Sequence, residues 1–132
     1  MAVKGQSFLY MSFLTLALTL VFVIFGTQHL YSALDAANAN NVRLLAEEIS
    51  GAINYMQLSE SNIVDSIKLN TGCSVVITKK YVRVTNKAKG ISATGNLVQT
   101  DVNIAPNSID CGEFRRIEIV KTDSSISVSG VP

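Results

Sequence analysis

"SFLYMSFLTLALTLVFVIFGTQH", residues 7–29, contains no Asp, Glu, Lys or Arg, and most of its positions are Phe, Leu, Val, Ile, Ala or Met. Twenty such residues in a helix rise about 30 Å, which matches the hydrocarbon thickness of a bilayer. The stretch therefore predicts a helix that can span a membrane. We expect residues 8–28 to form the span, or the apolar core of an assembly.

The same stretch has the position of a secretory signal, with Lys4 before it and a small-residue motif, Ala37-Asn38-Ala39, after it. The apolar region of such a signal usually has about 7–15 residues, whereas here it is longer and the motif lies well beyond its end. We therefore expect the apolar stretch to remain in the mature protein. The first charge after it is Asp35, so the positive-inside rule predicts an N-terminus inside and the bulk of the chain outside.

Apolar positions continue past residue 29 but become periodic. Steps of mostly three to five residues separate Leu30, Leu34, Ala37, Val42, Leu45, Ile49, Ala52, Ile53 and Met56. This spacing predicts one face of a helix, and no proline interrupts it. We predict a single helix over residues 6–56. The apolar face of its second half needs a partner, either the chain's own C-terminal domain or other copies of the chain.

The rest of the chain has the residue pattern of a β domain. Residues 57–65 are polar and predict a linker, and residues 66–132 predict a small antiparallel sheet. Two strands around a Lys79-Lys80 turn are indicated by "CSVVIT" and "YVRVTN", and a bend is expected at Gly95-Asn96. Alternation in "RRIEIVK" and "SISVSG" predicts a terminal hairpin. About five or six short strands packed against the amphipathic helix would give an α+β fold.

Cys73 and Cys111 are the only cysteines, and neither lies in a spacing typical of a metal site. In a domain outside the cell, an even pair is most simply a disulfide. Two buried free thiols are the alternative. Closing a loop of about 39 residues would stabilise the fold by about 4 kcal/mol in the chain-entropy description.

Residues for catalysis or ligand chemistry are sparse in this sequence. His29 is the only histidine, and the sequence contains neither a G-x-S-x-G nor an H-E-x-x-H motif. Glu47 and Glu48 are adjacent in a predicted helix and point about 100° apart, as on a solvated face. With 11 Lys+Arg against 10 Asp+Glu, the chain builds up no overall field for nucleic acid. We expect no catalytic site, no metal, no cofactor and no nucleic-acid partner.

Taken together, the basic leader, the long two-part helix and the β domain resemble a type IV pilin. The motif "KGQSFLY", residues 4–10, resembles the class III signal peptide of archaeal type IV pilin-like proteins, and "NNVRLLAEEISGAINYM" is similar to the second helical half of such pilins. The resemblance implies that a prepilin peptidase removes residues 1–5, leaving Gly5 as the last leader residue and Gln6 as the first mature one. It also implies packing in a filament core, which we assign to Phe8, Leu9, Phe13, Leu16, Leu20 and Ile24.

This resemblance implies a structural subunit of an extracellular pilus-like filament that serves adhesion or surface attachment. The implied partners are other copies of the chain, the prepilin peptidase, the assembly platform with its ATPase, and the membrane before assembly. One position departs from the family, because Tyr10 stands where a glutamate is usual. Two alternatives fit the same sequence. One is a minor pilin or membrane-anchored accessory protein of a pilus or archaellum machine, and the other is an unrelated single-pass protein with an external β-rich binding domain.

Overall fold

The computed structural model describes the backbone of residues 3–132 and the side chains of residues 6–132. One helix is followed by eight strands, an α+β arrangement that confirms the predicted fold class. The chain forms two compact units, one ending at Ala37 and the other spanning Asn38–Pro132. Residues 1 and 2 of the predicted leader, and the side chains of the rest of it, lie outside the described residues.

The helix α1 spans Val3–Leu58 and continues past its predicted end at residue 56. Its covered stripe lies within the second unit and consists of side chains that are at most 6% exposed, namely Val42, Leu45, Ala46, Ile49, Ile53 and Met56. The sequence pattern extended this stripe back to Leu30 and Leu34, but these side chains are 61% and 50% exposed. Periodicity alone shows which face of a helix is apolar, and not how far along the helix a partner covers that face.

Eight strands follow the helix: β1 (Val64–Lys68), β2 (Cys73–Ile77), β3 (Tyr81–Asn86), β4 (Ser92–Asn96), β5 (Asn103–Ile104), β6 (Asn107–Asp110), β7 (Arg116–Thr122) and β8 (Ser125–Val131). They form two four-stranded sheets in the orders β1-β7-β8-β5 and β4-β3-β2-β6. All pairings are antiparallel except the short parallel pair β5–β8. The sequence predicted fewer strands, because β1 begins inside the polar segment assigned to a linker and β5 has only two residues.

Both predicted hairpins are present, and their inward faces are those that the alternation indicated. Val82 and Val84 of β3 are fully buried, as are Ile117 and Ile119 of β7. Buried side chains of both sheets join the stripe of α1 in one hydrophobic core. Burial of this kind contributes about 25 cal/mol per Å² of apolar surface, so the core is the main source of stability in this unit.

The bend predicted at Gly95-Asn96 is wrong, because both residues lie within β4. A Cβ atom on Gly95 would lie 2.6 Å from the carbonyl oxygen of Ala46 and 2.7 Å from Cβ of Ser50. Glycine is therefore needed here for the close approach of a strand to α1, and not for a turn.

Polar side chains at the C-terminal end of α1 bind the second unit's loops and strands. The Asn54 side chain donates from Nδ2 to the Asn96 carbonyl (3.1 Å), while its Oδ1 accepts from the Val98 amide (2.8 Å). These two hydrogen bonds pair a backbone carbonyl at the end of β4 and a backbone amide just beyond it, as a neighbouring strand would. Lys121 is buried and its ammonium donates to the Ser59 carbonyl just beyond α1. A cation at this end of a helix is favoured by the helix dipole.

Cys73 and Cys111 form a disulfide, with Cα atoms 5.0 Å apart. The Cys111 amide donates to the Cys73 carbonyl (3.0 Å), so the bridge extends the β2–β6 ladder by one pair. Both side chains are buried. The pairing matches the predicted disulfide and not the alternative of two free thiols. All four strands of the sheet β4-β3-β2-β6 lie within the loop that it closes.

Candidate functional site

The main candidate surface is the first half of α1, residues 6–28, which we call the apolar segment. Its large hydrophobic side chains are all exposed, from 48% at Ile24 to 77% at Tyr10. The six residues assigned to core packing belong to this exposed set: Phe8, Leu9, Phe13, Leu16, Leu20 and Ile24. An apolar surface of this extent marks a membrane-contacting or protein-binding surface.

The length and composition of the helix allow it to cross a membrane, a property that secretory signals share. Its most apolar 18-residue window has a mean hydropathy of 2.4, and none of that window is buried. Backbone groups inside a helix are already hydrogen-bonded, so an apolar environment imposes no backbone penalty. The apolar segment therefore suits a surrounding of lipid tails or of other apolar helices.

Hydroxyl side chains interrupt the apolar segment, and four of them bond to the helix's own backbone. The bonds run to the carbonyl four residues earlier: Ser12 to Phe8 (2.8 Å), Thr15 to Met11 (3.0 Å), Thr19 to Thr15 (2.7 Å) and Thr27 to Val23 (2.9 Å). An unpaired hydroxyl would cost free energy in an apolar medium. Because these donors are already used, the four residues add little to the cost of placing the segment in lipid or between helices.

Beyond the apolar segment, the acidic pair of α1 lies on a solvent-facing surface. Glu47 and Glu48 are exposed, and Glu47 lies 4.0 Å from Arg43 in an i,i+4 ion pair. Exposed pairs of this kind contribute about 0–1 kcal/mol. Within residues 6–132, no group of three or more His, Cys, Asp or Glu is placed to hold a metal ion.

A second ion pair lies beside the disulfide, between Lys87 and Asp110. The Lys87 ammonium, with a further bond from the Gly112 amide (2.8 Å), holds the pKa of Asp110 below its ordinary value. Both side chains are partly exposed, so this ion pair contributes little to the stability of the fold.

The sheet also brings together cations that are far apart in the sequence. Lys68 and Arg116 are directly opposite each other across β1 and β7, and Arg115 precedes Arg116. The sequence alone does not show that Lys68 lies beside Arg116, because they are far apart along the chain. Their proximity depends on the β1–β7 register, and β1 begins in a segment that the sequence predicted to be a linker.

One long apolar N-terminal helix followed by a β-sheet domain is compatible with a pilin-like fold. Searches against family models, curated proteins and solved structures find no match for this chain. Cleavage between Gly5 and Gln6 therefore stays a prediction from the sequence motif, and Gln6 is the first residue whose side chain is described.

Proposed function

We propose that this chain is a structural subunit of an archaeal type IV pilus-like surface filament, serving adhesion or surface attachment. The observation that carries the proposal is the exposed apolar segment, in which four hydroxyl side chains bond to the helix's own backbone. A separate unit that buries its own core follows this segment. That combination suits a subunit whose helix exchanges one apolar surrounding for another while its β domain stays folded.

Assembly would follow from this exchange. In the membrane, lipid tails cover the apolar segment, and in a filament the same segments of neighbouring copies do so. Small residues allow close helix approach, and the segment contains Gly26, where a Cβ would meet nothing within 4 Å. A contact between unlike faces that does not close on itself produces an open helical polymer.

The proposal also includes proteolytic maturation of the chain before assembly. A prepilin peptidase would cut between Gly5 and Gln6, removing Lys4 and retaining the apolar segment. The assembly platform and its ATPase would then move the subunit out of the membrane into an extracellular filament. The mature chain would carry 10 basic and 10 acidic side chains, because 11 Lys+Arg lose Lys4, and a near-neutral subunit does not repel its own copies strongly.

Two measurements test the proposal. Surface filaments should contain this chain by peptide identification, and the mature N-terminus should be Gln6. Replacing Leu16 and Leu20 by alanine keeps the segment apolar but removes packing volume, so we expect normal membrane insertion and fewer filaments. Leu44→Ala, at a 50% exposed position outside the apolar segment, is the control. Recovery of the chain only as a detergent-solubilised monomer with an intact Met1, and filaments that lack it, would refute the proposal.

Tyr10 favours a second candidate, a minor pilin or an accessory subunit. In the family a glutamate at this position is thought to offset the N-terminal ammonium of a neighbouring copy, and Tyr10 supplies a phenol in place of that carboxylate. Burying an unpaired ammonium is costly, so either few copies are incorporated or Gln6 cyclises to pyroglutamate and loses the charge. The number of copies per filament and the intact mass of the mature chain distinguish these two cases.

A further inference from the structure

Three cations line one surface hollow in the β domain, which we call the basic hollow. It has a volume of about 390 Å³ and is lined by Ser66, Lys68, Arg115, Arg116 and Pro132. Lys68 and Arg116 are directly opposite each other in the β1–β7 register. Their neighbours Ile67 and Ile117 are buried, so Lys68 and Arg116 face outward.

The charges of the basic hollow are not compensated by ion pairs. The ion pairs Arg43–Glu47 and Lys87–Asp110 do not involve any cation of the hollow. Glu118 lies on the same face of β7 as Arg116 and places a carboxylate on this surface beside the cations. Like charges directly opposite each other destabilise a sheet, so the Lys68–Arg116 pair costs stability while it concentrates positive charge at this point of the surface.

The backbone that carries these cations is held on both sides. The Arg115 carbonyl accepts from the Leu69 amide (2.9 Å), and the Arg115 amide donates to the Val131 carbonyl (3.0 Å). The Phe114 ring lies against Gly130, where any Cβ would overlap it. A charged site on a fixed backbone loses less entropy when a ligand binds.

We propose that the basic hollow binds the carboxylate or sulfate groups of an acidic polysaccharide. A guanidinium presents a planar fork that matches these oxyanions, and two adjacent arginines with a lysine can hold more than one of them. The volume of the hollow lies at the lower end of the range for small-ligand sites, about 300–1,000 Å³. The Ser66 hydroxyl at its edge can bond to a sugar hydroxyl.

Other polyanions fit this lining less well. Nucleic-acid strands are usually held by aromatic side chains on which bases stack, and the lining of the hollow has none. A lipid surface is usually bound with large apolar side chains that enter the acyl boundary, and the lining has none of these either. The basic hollow lies within the β domain, and polysaccharide binding there does not depend on filament assembly.

The test measures binding of fluorescent heparin, a sulfated polymer, and polygalacturonate, a carboxylated one, to the full chain in neutral detergent at about 0.1 M salt. The variant is Lys68→Gln with Arg116→Gln. The matched control is Lys79→Gln with Lys80→Gln, an equal loss of charge at the exposed β2–β3 turn. We expect the site variant to bind at least one polymer about tenfold more weakly, and the control to stay within about twofold of the unmodified chain. Arg116→Lys should fall between them, because it keeps the charge and loses the fork.

Several outcomes would overturn the inference. One is the absence of binding to either polymer, and another is an equal loss in both double variants, which would indicate only a general charge effect. Tighter binding to a single-stranded oligonucleotide, lost in the site variant, would assign the hollow to nucleic acid. Loss of self-association without loss of polysaccharide binding would assign it to a contact between copies. Amide exchange of β1 and β7 checks that the variants are folded.

Discussion

Replacing Gly95 by alanine tests the packing of β4 against α1. Gly95 is not among the residues with positive φ, so alanine meets no backbone strain there. Without a steric conflict, a glycine in a strand interior should be improved by alanine, by about 0.5–1 kcal/mol. The structure predicts the opposite sign, because the added Cβ would lie 2.6 Å from the Ala46 carbonyl oxygen. Overpacking of this kind costs about 1–3 kcal/mol, and the conflict with a helix backbone favours the upper part of that range.

Gly51→Ala is the matched control, because a Cβ at Gly51 meets nothing within 4 Å. In a helix interior this change should stabilise by about 0.5–1 kcal/mol, so the two alanine variants should differ by about 2–4 kcal/mol. The assay is urea unfolding of the full chain in neutral detergent, followed by amide exchange of peptides from β3, β4 and residues 42–56. Adding Ser50→Gly to Gly95→Ala should restore part of the loss, since Ser50 provides the nearest side-chain atoms. A Gly95→Ala chain at least as stable as the unmodified one would refute the close approach.

Three further predictions concern the same unit. Reducing the Cys73–Cys111 disulfide should lower the free energy of unfolding by about 4 kcal/mol. The double variant Cys73→Ser with Cys111→Ser should show the same loss without reductant. Equal urea midpoints before and after reduction would contradict this prediction. Asn54→Ala should cost about 1–3 kcal/mol and speed amide exchange at Val98, because it removes two hydrogen bonds; unchanged exchange there would argue against this contact. The pKa of Asp110 is lowered from 3.8 in the folded chain, so the unfolded chain binds more protons between the two pKa values. The stability that this carboxylate contributes is present above pH 3.8 and is lost as the pH falls through the pKa of Asp110 in the folded chain. The urea midpoint of Asp110→Asn should therefore depend less on pH in acid than that of the unmodified chain. An identical acid dependence of the two midpoints would refute the role of Asp110.

Much of the fold was predictable because strong local patterns determine it. The continuous apolar residues of 7–29 and the periodic ones up to Met56 predict a helix, and alternation around Val82 and Ile117 predicts hairpins. Gly95 was misassigned because a glycine that permits close packing and one that permits a turn look alike in sequence. Pairing between distant strands has no local signature at all.

The two candidate sites also differ in whether a local sequence pattern or the pairing of distant strands determines them. The apolar segment is visible directly in the sequence as an uninterrupted run of uncharged, mostly apolar residues, and its large hydrophobic side chains are exposed in the structure. The basic hollow is not visible in the sequence, because Lys68 and Arg116 meet only through the β1–β7 register. A search of the sequence for clustered charge finds Arg115-Arg116 and leaves Lys68 out.

The position of the disulfide has a consequence for proteolysis. The bridge between Cys73 and Cys111 encloses every strand of the sheet β4-β3-β2-β6. A protease that cuts one peptide bond in the exposed Lys87–Gly90 turn would therefore leave both fragments covalently joined, one bearing β2 and β3 and the other β4 and β6. Such a nicked chain would keep its mass apart from one added water and would separate only under reducing conditions. A chain cut once in this turn would thus remain one covalent molecule.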